Sequence, residues 1–238
     1  MRRLVVKVWE FPVRVIHWTN FLAVVLLSVT GAYIHHPFLS TPTGPAPWLM
    51  GWMRLVHFVA GWGLLLGLVG RWGWSFVSNR YANVKEFFPI FYRERRKDIL
   101  GVLRYYTFQT RHLPPHLGHN ALASMVYLGV FCLMWFQVIT GFALFGQYDP
   151  NGTAYALFGW VFRVAGNQWV RLGHYFAVWV FAAFFINHIY AMWVSDLAEK
   201  DGTAGSMFSG YKYGPLEEFA DLDHRPWKSF DDRRRGGA

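Results

Sequence analysis

The chain has one cysteine, Cys132, among 238 residues. A single thiol excludes an intramolecular disulfide, an iron–sulfur cluster held by cysteine ligands and the Cys-x-x-Cys-His attachment of a c-type haem. Cys132 lies inside an apolar run and reads as a small packing residue. Charge is scarce too: Asp, Glu, Lys and Arg make up 16% of the chain, with 14 acidic residues against 23 basic ones. That is too little to clothe a soluble fold of this length. Lys and Arg are missing altogether from residues 37–51, and proline is missing from the interior of every long apolar run. Unbroken runs argue against the interrupted helices on which transporter sites are often built.

What is abundant is apolar surface, with 54% hydrophobic and 20% aromatic residues. Four runs, at residues 15–36, 52–77, 121–146 and 172–195, each exceed the ~20 residues with which a helix spans ~30 Å of hydrocarbon. None alternates with the period of two expected of a barrel strand. The expected fold is an all-α integral membrane protein, a four-helix transmembrane bundle whose first run is retained as a span. Residues 1–200 would form the four-span domain and residues 201–238 a polar cytoplasmic tail with a disordered-looking end at 233–238.

A net charge of +9 raises nucleic acid as a partner, but its distribution dismisses it. Arg2, Arg3, Lys7 and Arg14 precede the first run. Residues 78–120 carry Arg80, Lys85, Arg93, Arg95, Arg96, Lys97, Arg104 and Arg111, and the tail adds Lys200, Lys212, Arg225, Lys228 and the run at 233–235. The connection at 147–171 has only Arg163 and Arg171. This alternation is the positive-inside pattern and places both termini and residues 78–120 in the cytoplasm of a bacterial inner-membrane protein. Trp48, Trp52, Trp160 and Trp169 then mark the outer headgroup level, and Trp9 and Trp18 the inner one. Asp149-Pro150-Asn151-Gly152 is a turn signal, residues 155–164 read as a short interfacial helix, and residues 105–111 as a surface helix. A Thr-Gly pair recurs at Thr30-Gly31 and Thr140-Gly141, too little by itself to establish an internal repeat.

The runs contain His17, His57, His174 and His188. An imidazole in hydrocarbon is costly unless bonded, so each is a functional candidate. His174 and His188, fourteen residues apart, lie ~21 Å apart along one helix and within ~40° of the same face. Given the orientation above, His57 matches His174 in depth on the outer side, and His17 matches His188 on the inner side. Two imidazoles at matched depth in a bundle core form the arrangement that axially holds a haem iron. A zinc site is disfavoured by the separation of His17 from His57. Arg54 and Arg171 near the outer pair, and Arg14 and Arg71 near the inner one, are candidate partners for haem propionates, with snorkelling to the surface as the alternative for Arg71. A histidine-relay cation or proton transporter is the rival from another functional class.

These motifs resemble the b-type cytochrome subunit of membrane-bound, quinone-reactive nickel–iron hydrogenases, itself similar to the cytochrome subunits of formate dehydrogenases. The resemblance runs through Arg14-Val15-Ile16-His17-Trp18, Thr30-Gly31, Arg54-Leu55-Val56-His57-Phe58, Ser78-Asn79-Arg80-Tyr81 and Leu117-Gly118-His119-Asn120. It continues through residues 139–144, the His174 to His188 spacing and Ser209-Gly210-Tyr211, covering residues 9–213; Tyr175 departs from it, standing where a basic residue is common. The resemblance implies two b-type haems and electron transfer from an iron–sulfur small subunit, which joins the chain to a nickel–iron large subunit. Electrons would pass by the outer haem (His57, His174) and the inner haem (His17, His188) to quinone, in complexes open to pairing as dimers. Hydrogen cleavage itself would lie on the partner, because this chain lacks the cysteine ligands of a nickel–iron centre. His119 and Asn120 are the expected quinone residues, since a quinone needs a hydrogen-bond donor and a proton source, although Asn120 also suits a helix cap. His112 and His116 read as loop residues, and His35 and His36 as facing headgroups or the partner. An anchor of a formate dehydrogenase-like enzyme is the rival within the same class.

Overall fold

A computed structural model describes residues 3–38, 40–41, 44–45, 47–88, 91–107, 109–110 and 118–215. Arg111, His112, His116, Leu117 and everything beyond residue 215 lie outside the described residues. Strand β1 (Arg3–Lys7) leads into helix α1 (Phe11–His35), and two short strands, β2 (Ser40–Thr41) and β3 (Gly44–Pro45), pair ahead of α2 (Pro47–Trp74). Helices α3 (Val84–Phe87) and α4 (Arg93–Tyr106) precede α5 (Ala121–Gly146), which two short helices, α6 (Thr153–Phe158) and α7 (Val161–Val164), connect to α8 (Asn167–Glu199). Helix α9 (Thr203–Ser209) and strand β4 (Tyr211–Pro215) follow.

Helices α1, α2, α5 and α8 are long and apolar enough to cross a membrane. Apolar side chains such as Leu22, Val29, Leu66 and Ile186 stand exposed along them, as lipid-facing surface does. The run at 121–146 coincides with α5, whereas α1 and α2 begin four and five residues ahead of their apolar runs. Pro12 and Pro47 explain the difference: the first turn of a helix has unbonded N–H groups, so proline fits there and the helix starts before the hydropathy rises. The surface helix expected at 105–111 lies instead at α4, where charged residues dilute the apolar signal but Val102 is buried. The interfacial helix expected at 155–164 is the pair α6 and α7, separated at Gly159-Trp160. Cys132 is exposed on α5 and does not pack inward as expected.

The chain divides into two compact units that the long helices run through, one of Met1–Val15, Arg71–Val130 and His188–Ala238, the other of Ile16–Gly70 and Phe131–Asn187. In the first unit β1 pairs antiparallel with β4, Val5 opposite Tyr213. Gly210 closes α9 in a left-handed conformation (φ 88°), and its carbonyl accepts from Val8 N at 2.9 Å and Trp9 N at 3.1 Å. A Cβ there would meet Trp9 O at 2.7 Å, so position and conformation both call for glycine. Trp9 Nε1 donates to Ser206 Oγ at 3.0 Å, and Val8, Trp9, Val13 and Ala82 form a core with Trp74, Tyr81 and Met207 packed against it. Asn79 ties the end of α2 to this core: its Nδ2 donates to Val8 O at 2.9 Å, and its backbone N shares Glu10 Oε2 with Trp74 Nε1.

Asp201 and Lys212 form a buried ion pair at 3.0 Å in the same unit. Burial alone would raise the Asp201 carboxyl pKa, but hydrogen bonds from Thr203 and the Lys212 charge outweigh it and hold the group below its usual value. A carboxyl depressed on folding stabilises at pH above its ordinary value of ~4, and that stabilisation fades as pH falls through the lower folded value. Asp201→Asn should therefore release the 201–215 segment to limited proteolysis at neutral pH, since removing one partner of a buried pair costs ~3–5 kcal/mol. Acid should reproduce the release in the wild type. A variant as protease-resistant as the wild type would contradict this.

In the second unit Ala143, Val161 and Val170 form a core that seats Phe158 and Phe162 of the short helices against α5 and α8.

Candidate functional site

The second unit brings two of the four intramembrane histidines together. His57 on α2 and His174 on α8 face each other with ring centroids 6.4 Å apart and ring planes at 65°. Aromatic contacts tie the four long helices in this unit. Phe58 and Trp62 of α2 meet Phe145 and Phe142 of α5 edge-on, both at 4.7 Å, and Phe21 of α1 stacks on Phe185 of α8 at 5.9 Å. His35 stacks on Tyr175 at 3.8 Å, so the residue that departs from the resemblance is a ring platform here.

Each histidine is held by a threonine on the neighbouring helix. Thr30 Oγ1 donates to Leu26 O at 2.6 Å and lies 2.9 Å from His57 Nδ1. Thr140 Oγ1 donates to Phe136 O at 2.6 Å and lies 2.8 Å from His174 Nδ1. A hydroxyl has one hydrogen. With it committed to a carbonyl one helical turn back, the oxygen can only accept from the imidazole. Nδ1 is therefore the protonated nitrogen in both rings, and the lone pair of each Nε2 is the one available for a metal. Next to each threonine stands a glycine whose missing side chain makes room for the ring: a Cβ at Gly31 would lie 3.2 Å from His57 Cε1, and one at Gly141 would lie 3.2 Å from His174 Cε1. The α5 side adds one clamp, Gln137 Nε2 donating to His174 O at 3.1 Å.

The pair fits axial ligation of a haem iron. Two imidazoles sharing a metal through facing nitrogens at ~2 Å hold their ring centres ~6 Å apart, close to the 6.4 Å seen here. Two imidazole nitrogens are a ligand set that an iron already bound in a macrocycle could take.

The other expected residues are distributed differently. His17, half-buried against Trp18 (5.4 Å), belongs to the second unit and the exposed His188 to the first. Arg171 donates to Asn167 Oδ1 and Gln147 Oε1, while Arg54 is exposed. Arg14 donates to Phe208 O and its Nε is buried without a hydrogen-bond partner. Arg71 does not snorkel: it is 6% exposed, donates from Nη2 to Ala82 O at 2.9 Å and lies over the rings of Phe87 and Tyr127. Its Nη1 is buried with no hydrogen-bond partner. In the same unit the His119 ring stacks on Tyr127 (5.4 Å, 12°) and leans on Trp9 (4.9 Å). Asn120 Oδ1 accepts from Ala123 N at 2.7 Å and caps α5.

A sequence profile described as prokaryotic cytochrome b561 matches residues 8–210. The chain belongs to the prokaryotic cytochrome b561 family. It is similar to a "Probable Ni/Fe-hydrogenase B-type cytochrome subunit" of Rhodobacter capsulatus, 36% identical over 89% of this chain and 82% of that protein. A protein of the same description from Cupriavidus necator is 34% identical over 86% of each chain. A "Probable Ni/Fe-hydrogenase 1 B-type cytochrome subunit" of Escherichia coli is 32% identical over 86% of this chain and 89% of its own. As a cytochrome b561 member with four spanning helices, the chain is a multi-pass protein of the bacterial inner membrane and an electron-transfer cytochrome of the haem b class.

Thr30, Thr140, Gln137 and the two glycines surround the histidine pair, and the histidine pattern alone did not reveal them. The repeated Thr-Gly pair was their signal in the sequence. Its meaning depended on the packing of α1 against α2 and of α5 against α8.

Proposed function

We propose that this chain is the di-haem membrane subunit of a nickel–iron hydrogenase, passing electrons from an iron–sulfur small subunit to quinone. The observation that carries the proposal is the His57–His174 pair, with both Nδ1 atoms bonded to threonine and ring centres at a separation that suits one iron. When bound, haem b supplies a one-electron iron centre. His57 and His174 would hold the haem on the side of the partner, and His17 and His188 the haem on the side of the quinone. The basic termini and the basic stretch 78–120 support an orientation with both ends in the cytoplasm, where residues 201–238 extend from the four-span domain of residues 1–200. The names of the relatives support a hydrogenase as the partner over a formate dehydrogenase.

Arg71 is the strongest of the four candidate propionate partners, because a buried guanidinium with an unbonded Nη1 is stabilised by an anion; Arg14, Arg54 and Arg171 are the others. His119, set between the rings of Trp9 and Tyr127, would present a ring edge and its proton-carrying nitrogens to a quinone oxygen, with the Asn120 amide beside it in the sequence.

The test uses the purified complex. Dithionite reduction should give sharp low-spin b-type bands, the haem-to-polypeptide ratio should be about two, and hydrogen should drive reduction of a soluble quinone. A colourless protein, a ratio of one, or quinone reduction driven by formate and not by hydrogen would each reject the corresponding part of the reading. His188→Ala should stop quinone reduction while an artificial acceptor is still reduced at the hydrogenase; equal loss of both would count against the proposed electron order.

A further inference from the structure

The twin Thr-Gly cradles are more alike than ligand placement requires. Thr30 and Thr140 each spend their hydrogen on a carbonyl four residues back at 2.6 Å and reach a histidine Nδ1 at 2.9 and 2.8 Å. Gly31 and Gly141 leave the same 3.2 Å approach to Cε1. Rotation of either ring about its Cβ–Cγ bond would break the bond to the hydroxyl, so each threonine fixes the plane of one imidazole. Together they hold the two planes 65° apart.

We propose that Thr30 and Thr140 are paired positioning residues that set the electronic state of the iron held between His57 and His174. The inference rests on that pair being the ligands. Two physical effects carry it. A hydrogen bond accepted from Nδ1–H makes the imidazole a stronger donor through Nε2, which favours ferric iron, so losing the acceptor moves the midpoint potential upward. The angle between the ring planes decides how the imidazole π orbitals split the iron d levels, and therefore the shape of the low-spin ferric resonance. A hydroxyl is a neutral acceptor, weaker than a carboxylate, so the cradles hold both rings as ordinary imidazoles without drawing the Nδ1 proton away.

The experiment replaces Thr30 and Thr140 singly and together with Val, which keeps the branched shape, and with Ser, which keeps the hydroxyl. Each variant is read in the purified complex by haem content, redox titration and electron paramagnetic resonance. Each Val variant should shift one of the haem midpoints upward and move the largest g value of one low-spin signal. The double variant should shift the same haem further, because both hydroxyls act on one iron. The Ser variants should return both readings toward the wild type. Val variants that retain haem with unchanged midpoints and resonance would overturn the proposal. If a Val variant loses the haem, the matching Ser variant decides: recovery of haem with the wild-type signal supports a role for the hydroxyl, and continued loss overturns it. His57→Ala serves as the separate control. If it retains full haem, the ligand assignment fails, whatever the threonines do.

Discussion

Alanine at either His57 or His174 should lower the haem content of the chain by about half and abolish hydrogen-driven quinone reduction. The two rings face each other at 6.4 Å, and their supports differ. His57 is bonded to Thr30 and to the Leu27 backbone, whereas His174 is held at Nδ1 by Thr140 and at its backbone carbonyl by Gln137. Removing either ligand leaves a single imidazole, which cannot keep a six-coordinate low-spin iron in place. The residual reduced spectrum should remain sharp, since His17 and His188 are untouched. A relay of protons through the same histidines would predict another result, loss of transport with no change in absorbance. Haem assay and the reduced-minus-oxidised spectrum separate the two outcomes. Full haem in both variants would reject the pair as ligands.

Gly141→Val should be nearly as damaging as removing His174 itself, although residue 141 contacts no ligand. A Cβ at this position already falls 3.2 Å from His174 Cε1, and the γ-methyls of valine reach further in the crowded core. Closely packed interiors resist added volume. The ring cannot swing aside without giving up Thr140, and the backbone cannot retreat without giving up Gln137. Valine should therefore cost haem, while alanine should keep haem and perturb its resonance. Gly31→Val should be better tolerated, because Gln137 fixes the His174 backbone and Thr140 its ring, whereas Thr30 and the Leu27 backbone hold His57 through its ring. Haem content across the four variants checks the ranking; equal tolerance at 31 and 141 would contradict the asymmetry of the clamps.

The four spans were legible in the sequence because lipid imposes a strict composition, a long apolar helix, and the same constraint drew attention to the imidazoles within them. Residues 121–146 could be read to the residue, since Asn120 and the Gly146 end bracket an uninterrupted apolar run. The starts of α1 and α2 were not, because Pro12 and Pro47 sit where a helix tolerates them and hydropathy has not yet risen. The pairing of His57 with His174 followed from depth alone. The threonine and glycine cradles did not, because a hydroxyl one residue from a glycine carries no message until the neighbouring helix is known. Arg71 shows the same limit. Its helical phase placed it near the inner end of α2, but only the rings of Phe87 and Tyr127 decide that it stays inside. The unit around Trp9 was the least legible part, since β1 and β4 have no strong pattern of their own and are recognisable only as partners.

That pairing imposes an order of assembly. Trp9 and Ser206 bond across 197 positions of sequence, so a segment made ahead of all four long helices acquires its partner only after they have been made. Until then Val8, Trp9 and Arg14 have neither the Gly210 carbonyl nor the Phe208 carbonyl to bond. The long loop closure comes late, because contacts between distant positions form after local ones. A chain shortened before residue 206 would insert all four helices and still leave its first strand unclaimed. The join between β1 and β4 is thus made only by chains that have been translated through to β4.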